Sequence, residues 1–316
     1  MKILPNTIIT LHEINDPRWL NNVIISLKKN YNIVSVDNLE NYYYNNIDLK
    51  NACHLTFDDG DLSFYNNVLP LIKKHKIPVS TYVSPLIARE NRNFWFQEIR
   101  GYNQEKLFEI TQKIINDKNR NIQPVAMNPF LKTLQIETIL EIIKLYQKET
   151  NTPPKPPMNM TKKQLIEIKS SGLVEIGAHT LNHPILINES DESATYEIEK
   201  SIDQLSEILN CDTRYFVYPN GDYGEREINI LKKKGIKLAF SIKRGKISQL
   251  NNTYCIPRSG SPFVSPSIRN RSPYIYSKCI LMLILGEEKY YHYATSKGWL
   301  TSFINNIQLK TYERFL

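Results

Sequence analysis

Two acidic residues side by side at the end of an apolar run, His54-Leu55-Thr56-Phe57-Asp58-Asp59-Gly60, are the first in this chain to invite a chemical reading. Consecutive side chains of an extended segment point to opposite faces, so Asp58 and Asp59 are expected to serve different purposes. Carboxylates this close raise one another's pKa unless something neutralises them, and a divalent cation facing one of them would do so. Asp-Asp-Gly is also ordinary turn chemistry, and alone it decides nothing. A second stretch, Glu175-Ile176-Gly177-Ala178-His179-Thr180-Leu181-Asn182-His183-Pro184, follows another short apolar run and carries two histidines. Neutral imidazole is a common ligand for zinc and similar ions. The two rings can share one side of a helical turn, although Pro184 favours a turn at a strand end; solvated loop histidines are the plainer alternative. Combined with the acidic pair, one carboxylate and two imidazoles form a three-ligand site with an open position. That is the pattern of a catalytic metal rather than a structural one.

Such residues need a scaffold that gathers them from distant parts of the chain. Thr7 to His12 reads as a strand ending in a histidine, Leu20 to Lys29 has helical spacing, and Ile33 to Val36 reads as a short strand. Beyond the acidic pair, a helix over Leu62 to His75 precedes a strand over Val79 to Val83. The alternation resumes with a helix at Thr161 to Ser170, a strand at Leu173 to Ile176, and a helix at Glu192 to Leu209. It continues with a strand at Tyr215 to Tyr218, a helix at Glu225 to Lys234 and a strand at Leu238 to Ile242. Strands alternating with helices predict an α/β fold with a mainly parallel sheet, closed or nearly closed as a distorted (β/α) barrel. In such a barrel the strand ends and the loops after them make one ligand-binding face. His12, Asp58, Asp59, His179, His183 and Pro219 all fall at predicted strand ends.

Between residues 86 and 160 a helix-rich insertion interrupts the pattern, with helical spacing over Lys106 to Asn116 and Gln135 to Lys148. It closes on Pro153-Pro154-Lys155-Pro156-Pro157, a stiff connector. An insertion on the active rim shapes substrate access or serves as a packing or oligomerisation arm. Trp95, in Phe94-Trp95-Phe96, is assigned to a sugar face, with core packing as its other use. The domain reading is a barrel over residues 1–270 and a helical C-terminal extension over 271–316 packed on it.

Three segments carry a resemblance. Thr56-Phe57-Asp58-Asp59-Gly60, His179-Thr180-Leu181-Asn182-His183-Pro184 and Arg214-Tyr215-Phe216-Val217-Tyr218-Pro219-Asn220-Gly221 resemble, in order, the first three signature motifs of the polysaccharide deacetylases. These are the NodB-homology, or carbohydrate esterase family 4, enzymes. The resemblance implies a NodB-type barrel that removes an acetyl group from an N-acetylated sugar with one divalent ion, zinc first, cobalt or nickel otherwise. It implies Asp59, His179 and His183 as metal ligands and Asp58 as general base. Arg214 would orient that base, and the backbone amide of Asn220 would stabilise the oxyanion. Many relatives supply the proton for the leaving amine from a Leu-x-His motif; here His12 resembles instead the strand-end histidine of a circularly permuted branch that includes poly-N-acetylglucosamine deacetylases. Cys255-Ile256-Pro257-Arg258-Ser259-Gly260 resembles that branch too. Arg258 is expected to meet an anionic part of the substrate or brace a loop, and Tyr218 to contact substrate. A related hydrolase of formamido sugars or cyclic imides, and a non-catalytic saccharide-binding barrel, are the alternatives.

Composition sets the bounds. The 316 residues, 41% hydrophobic, can bury a large core, and their net charge of +8 with a pI near 9.1 suits an anionic substrate, such as a phosphate-linked sugar, or an anionic membrane face. Lys and Arg are dispersed without a basic-aromatic motif, so a nucleic-acid partner is not expected. Cys53, Cys211, Cys255 and Cys279 form neither a disulfide framework nor a zinc cluster. The first residues lack a long apolar run before a small-residue cleavage site, so no signal peptide is expected, and cytoplasmic residence is the working expectation. Ile280 to Leu285 is too short to span a bilayer, leaving peripheral membrane contact open.

Overall fold

The strands are β1 (Thr7–Leu11), β2 (Asn32–Ile33), β3 (Ala52–Phe57), β4 (Val79–Val83), β5 (Val174–Ala178), β6 (Tyr215–Val217), β7 (Leu238–Phe240) and β8 (Ser259–Gly260). All pair in parallel, in the order β7-β6-β5-β4-β3-β1-β8, with β2 beside the start of β3. This is a computed structural model that describes residues 4–115, 127–243 and 245–260. The predicted C-terminal extension, with Ile280 to Leu285 and His292, lies outside them.

The sheet curls into a ring. Ile256 bridges Phe240 at one end of the strand order, and Ser259 and Gly260 pair with Ile9 and Thr10 at the other. Residues 256–260 therefore close the barrel between β7 and β1.

The helices are α1 (Pro17–Lys28), α2 (Val36–Tyr44), α3 (Leu69–His75), α4 (Pro85–Glu90), α5 (Trp95–Glu98), α6 (Gln104–Ile115), α7 (Met127–Leu131), α8 (Ile136–Thr150), α9 (Lys162–Ser170), α10 (Asp191–Leu209) and α11 (Glu225–Lys233). Strand alternation sorts side chains into two cores. Ile9, Leu11, Leu55, Phe57, Ile176 and Phe216 pack outward against α1, α3, α9, α10 and α11. Ile8, Tyr82, Tyr215, Val217, Phe240 and Ile256 form a second cluster filling the lumen. Local sequence starts the helices where the outer core needs them. Asp16 caps α1 by accepting from the Arg18 and Trp19 amides, with Pro17 at its first position, and Thr161 and Gln164 form a capping box on α9.

One predicted element is corrected. The strand expected over Ile33 to Val36 stops at Ile33, because Ser35 and Asn38 form a capping box that opens α2 at Val36. Val36, Leu39 and Tyr42 then pack against the lumen cluster, so α2 covers the end of the barrel where the strands begin. The insertion has its own core, in which Trp95, Leu107, Ile110, Leu131, Ile139, Ile142 and Tyr146 pack together. Its first predicted residues belong instead to the barrel, since Ala88 of α4 joins the outer core.

Candidate active site

β3 ends at Phe57, and the backbone then turns sharply. Asp59 and Gly60 both take left-handed conformations, with φ of 72° and 67°. A side chain at Gly60 would bring its Cβ within 2.9 Å of Val83, so the turn needs glycine there on two counts. The exit of the insertion pins the turn: the Met160 amide donates to the Gly60 carbonyl at 2.8 Å, and the Leu62 amide to Met158 at 2.8 Å. This bend separates the two carboxylates.

Asp59 faces the loop after β5. Its Oδ1 stands 3.5 Å from Nε2 of His179 and 3.5 Å from Nε2 of His183, and one ligand atom from each of the three residues lies within 4.8 Å of the others. The loop is a turn at a strand end, not a helical turn: Thr180 and His183 adopt φ of 62° and 59°. Each such non-glycine residue costs of order 1–3 kcal/mol, and it persists only where surrounding bonds impose it. Here they do. The His179 ring hydrogen-bonds through Nδ1 to the Val217 carbonyl at 2.7 Å, Ser84 donates to the His179 carbonyl at 2.9 Å, and the Trp95 indole donates to the His183 carbonyl at 3.1 Å. Phe94 and Phe96 each set an edge-to-face contact against the His183 ring.

The donor set fits a divalent ion. Oδ1 of Asp59 is buried without a hydrogen-bond partner, an arrangement that a cation would satisfy. Burial, then the neighbouring His179, push the His183 imidazole down to about 3, which leaves it neutral and able to coordinate. Burial raises the Asp59 carboxyl, but the adjacent histidines overcome it and hold Asp59 below the usual carboxylate range.

Asp58 points into the lumen and meets a different partner. Arg258 grips it with a two-pronged ion pair, Nη1 to Oδ1 and Nη2 to Oδ2, both at 2.8 Å. Thr10 adds a hydroxyl to Oδ2 at 3.3 Å. Burial would raise the Asp58 carboxyl; the Arg258 charge and its hydrogen bonds outweigh it, so Asp58 stays ionised. His12 follows β1 on the same rim, its Nε2 3.9 Å from Asp58 Oδ2 and its side chain 56% exposed. Asn220 occupies the turn after β6 with φ of 54°; its side-chain oxygen accepts from Lys132 of the insertion at 2.8 Å.

The family model described as "Polysaccharide deacetylase" matches residues 46–239, more than half of the chain. This chain belongs to the polysaccharide deacetylase family. A poly-beta-1,6-N-acetyl-D-glucosamine N-deacetylase of Staphylococcus aureus is 22% identical over 217 residues, 66% of this chain and 54% of that protein. The chain thus spans about half the length of the curated relatives it matches. Among solved structures, the deacetylase PplD of Streptococcus pyogenes, determined with acetate, superposes with a TM-score of 0.58 at 20% identity, over 90% of this chain and 99% of that one. IcaB from Ammonifex degensii gives 0.56 at 20%, over 87% and 97%. Both likenesses establish the fold, a distorted NodB-type barrel.

Against this family pattern, four expected roles change. Arg214 does not reach Asp58. It sits at the start of β6, at the barrel end opposite the rim, paired with Glu40 and with Asp37 at 3.5 Å on α2. Arg258 takes the place next to Asp58; with its side chain fully buried it has no surface to offer a substrate. Tyr218 is buried too, its hydroxyl donating to the Tyr254 carbonyl at 2.8 Å. Trp95 lies in the insertion core, and its indole N–H donates to the His183 carbonyl.

The sequence also concealed the contributions of Thr10 and of Glu197, a buried acid on α10 beside the second motif. Glu197 stands next to the apolar stripe that begins at Ile198, and an acid at the edge of a buried helical face is the signal that could have drawn attention to it. His54 is structural, its ring held between the Val34 carbonyl and the Ser80 hydroxyl.

Proposed function

We propose that this chain is a metal-dependent N-deacetylase that hydrolyses the acetamido group of an N-acetylated sugar in a surface polysaccharide or its precursor. The observation that carries this reading is the separation of the two adjacent acids. Asp59 converges with His179 and His183, while Asp58 is held off that set, ionised, by Arg258. The names of the relatives make β-1,6-linked N-acetylglucosamine oligomers the first substrate to try. Phosphate-linked N-acetylhexosamines come next, in view of the net charge of +8.

Asp59, His179 and His183 would hold the ion, which when bound supplies Lewis-acid polarisation of the acetyl carbonyl and acidifies a water. Asp58 takes a proton from the attacking water as its oxygen adds to the amide carbon. The Asn220 main-chain amide donates to the resulting oxyanion; a backbone donor makes this role indifferent to the side chain there. His12, reaching both bulk water and Asp58, protonates the amine as the C–N bond breaks, and acetate leaves.

Asp58→Asn tests the assignment. The variant should bind as much zinc as the unaltered protein, read by elemental analysis, and release acetate at least about a hundredfold more slowly. Acetate release at an undiminished rate would remove Asp58 from the chemistry. If the unaltered protein releases no acetate from any N-acetylated sugar, the deacetylase reading itself falls.

A further inference from the structure

We infer that Glu197 of α10 is a positioning residue for the metal loop: its buried carboxylate holds the His179–His183 segment in the conformation that aims both imidazoles at Asp59. The inference rests on the reading of Asp59, His179 and His183 as metal ligands. It goes beyond it by assigning metal affinity to a residue and a network outside those ligands.

The loop has a defect to correct, since two of its five residues, Thr180 and His183, are non-glycine residues in left-handed conformations. Turns of this kind expose backbone N–H groups that need acceptors. Glu197 provides them. Its Oε2 accepts from the Leu181 amide at 2.9 Å and the Asn182 amide at 2.9 Å, and its Oε1 accepts from Nδ2 of Asn182 at 2.5 Å. Leu181 and Asn182 lie between the two histidines, so the carboxylate grips the loop inside the segment that the imidazoles bound. Glu197 has no salt-bridge partner among the described residues, and its side chain is buried, so the hydrogen bonds that hold its carboxylate come from the loop. A helix of nineteen residues, Asp191–Leu209, carries it, which makes the anchor rigid.

The grip continues into the insertion. Oδ1 of Asn182 accepts from Nη2 of Arg92 at 2.5 Å, and Arg92 is held in turn by Glu90 at 2.6 Å. The order of donors and acceptors along this chain is therefore fixed. Arg92 can only donate to Asn182, Asn182 must donate to Glu197, and Glu197 must accept from both loop amides as well. An uncharged amide at position 197 cannot satisfy it. If its oxygen serves the two loop amides, its NH2 faces the NH2 of Asn182; rotating Asn182 to offer oxygen turns that NH2 onto Arg92. One donor–donor conflict remains either way.

The same polarity argument gives a rescue. Glu197→Gln should weaken zinc binding at least tenfold, as loss of an outer-shell partner does, and Asn182→Asp should weaken it as well by setting two carboxylates face to face. Combined, the two changes restore the order. The amide introduced at 197 donates to the carboxylate introduced at 182, which still accepts from Arg92. Zinc affinity of the double variant should return to within about threefold of the unaltered chain.

The measurement is competition of zinc against a fluorescent chelator with the full chain, alongside circular dichroism of the metal-free proteins. Two losses that cancel cannot arise from general destabilisation, and if Glu197→Gln does not fold, Asn182→Asp against the pair still reads the coupling. Glu197→Gln with unaltered zinc affinity, or a pair no tighter than either single variant, overturns the inference while leaving the metal site standing. An unaltered chain that takes up no zinc overturns the metal site and the inference with it.

Discussion

Two arginine–carboxylate clusters stand at opposite ends of this barrel, and the proposed mechanism uses only one of them. At the rim, Arg258 and Asp58 are sealed from solvent, 0% and 4% exposed. At the other end, Arg214 is 42% exposed and shares Glu40 and Asp37 with the Tyr215 hydroxyl. The sequence presents the same residue types in both places. What differs is the medium. In water an ion pair gains little over its hydrated partners, whereas burial protonates a carboxylate unless a cation or a set of N–H donors meets it. Arg258 therefore decides the protonation state of Asp58, while Arg214 ties α2 to the end of the barrel.

Removing each cation separates the two. Arg258→Met leaves Asp58 buried with no counter-charge and should cost about 3–5 kcal/mol of folding stability, read by denaturant unfolding of the metal-free protein. It should also change the pH dependence of acetate release. With Arg258 present the Asp58 carboxyl lies below its ordinary value, so the pair's stabilisation is complete above that value and is lost only as pH falls through the lower native one. Without Arg258, burial acts alone and raises the carboxyl, so the acid limb of the rate profile should move to higher pH. An acid limb that stays in place would uncouple Arg258 from the base.

His12→Ala is the intermediate case. Its exposed ring contributes nothing to the core, so stability and zinc content should hold while turnover drops about a hundredfold, measured by acetate release at saturating substrate. Equal turnover would move the acid elsewhere. Arg214→Ala should have the smallest effect: stability within about 1 kcal/mol of the unaltered chain, with the acid limb in place. A shifted limb in that variant would dissolve the distinction between the two ends.

Much of the barrel was legible because its signals are local. The helices over Pro17–Lys28 and Lys162–Ser170 announce themselves by capping residues and apolar spacing, and the strands by short apolar runs. The strand expected at Ile33 to Val36 ends early because β-branched residues look alike in a strand and at the start of a helix, and the capping pair Ser35 and Asn38 selects the helix. Trp95 and Tyr218 differ from expectation for another reason. An aromatic side chain near a motif reads as a sugar platform, and only packing shows that both rings are enclosed.

The sequence by itself determined the alternation of strands and helices, the placing of His12, Asp58, Asp59, His179 and His183 at strand ends, and so the rim on which they meet. Period and capping are written within a few residues, and a parallel strand followed by a helix always delivers its end to the same face. The tertiary structure alone decided which arginine serves Asp58. That choice depends on residues 256–260 closing the ring between β7 and β1, which brings Arg258 into the lumen against an acid 200 positions earlier in the chain. No local pattern encodes which strand will fill the last gap in a barrel, because the gap exists only once the other strands have paired.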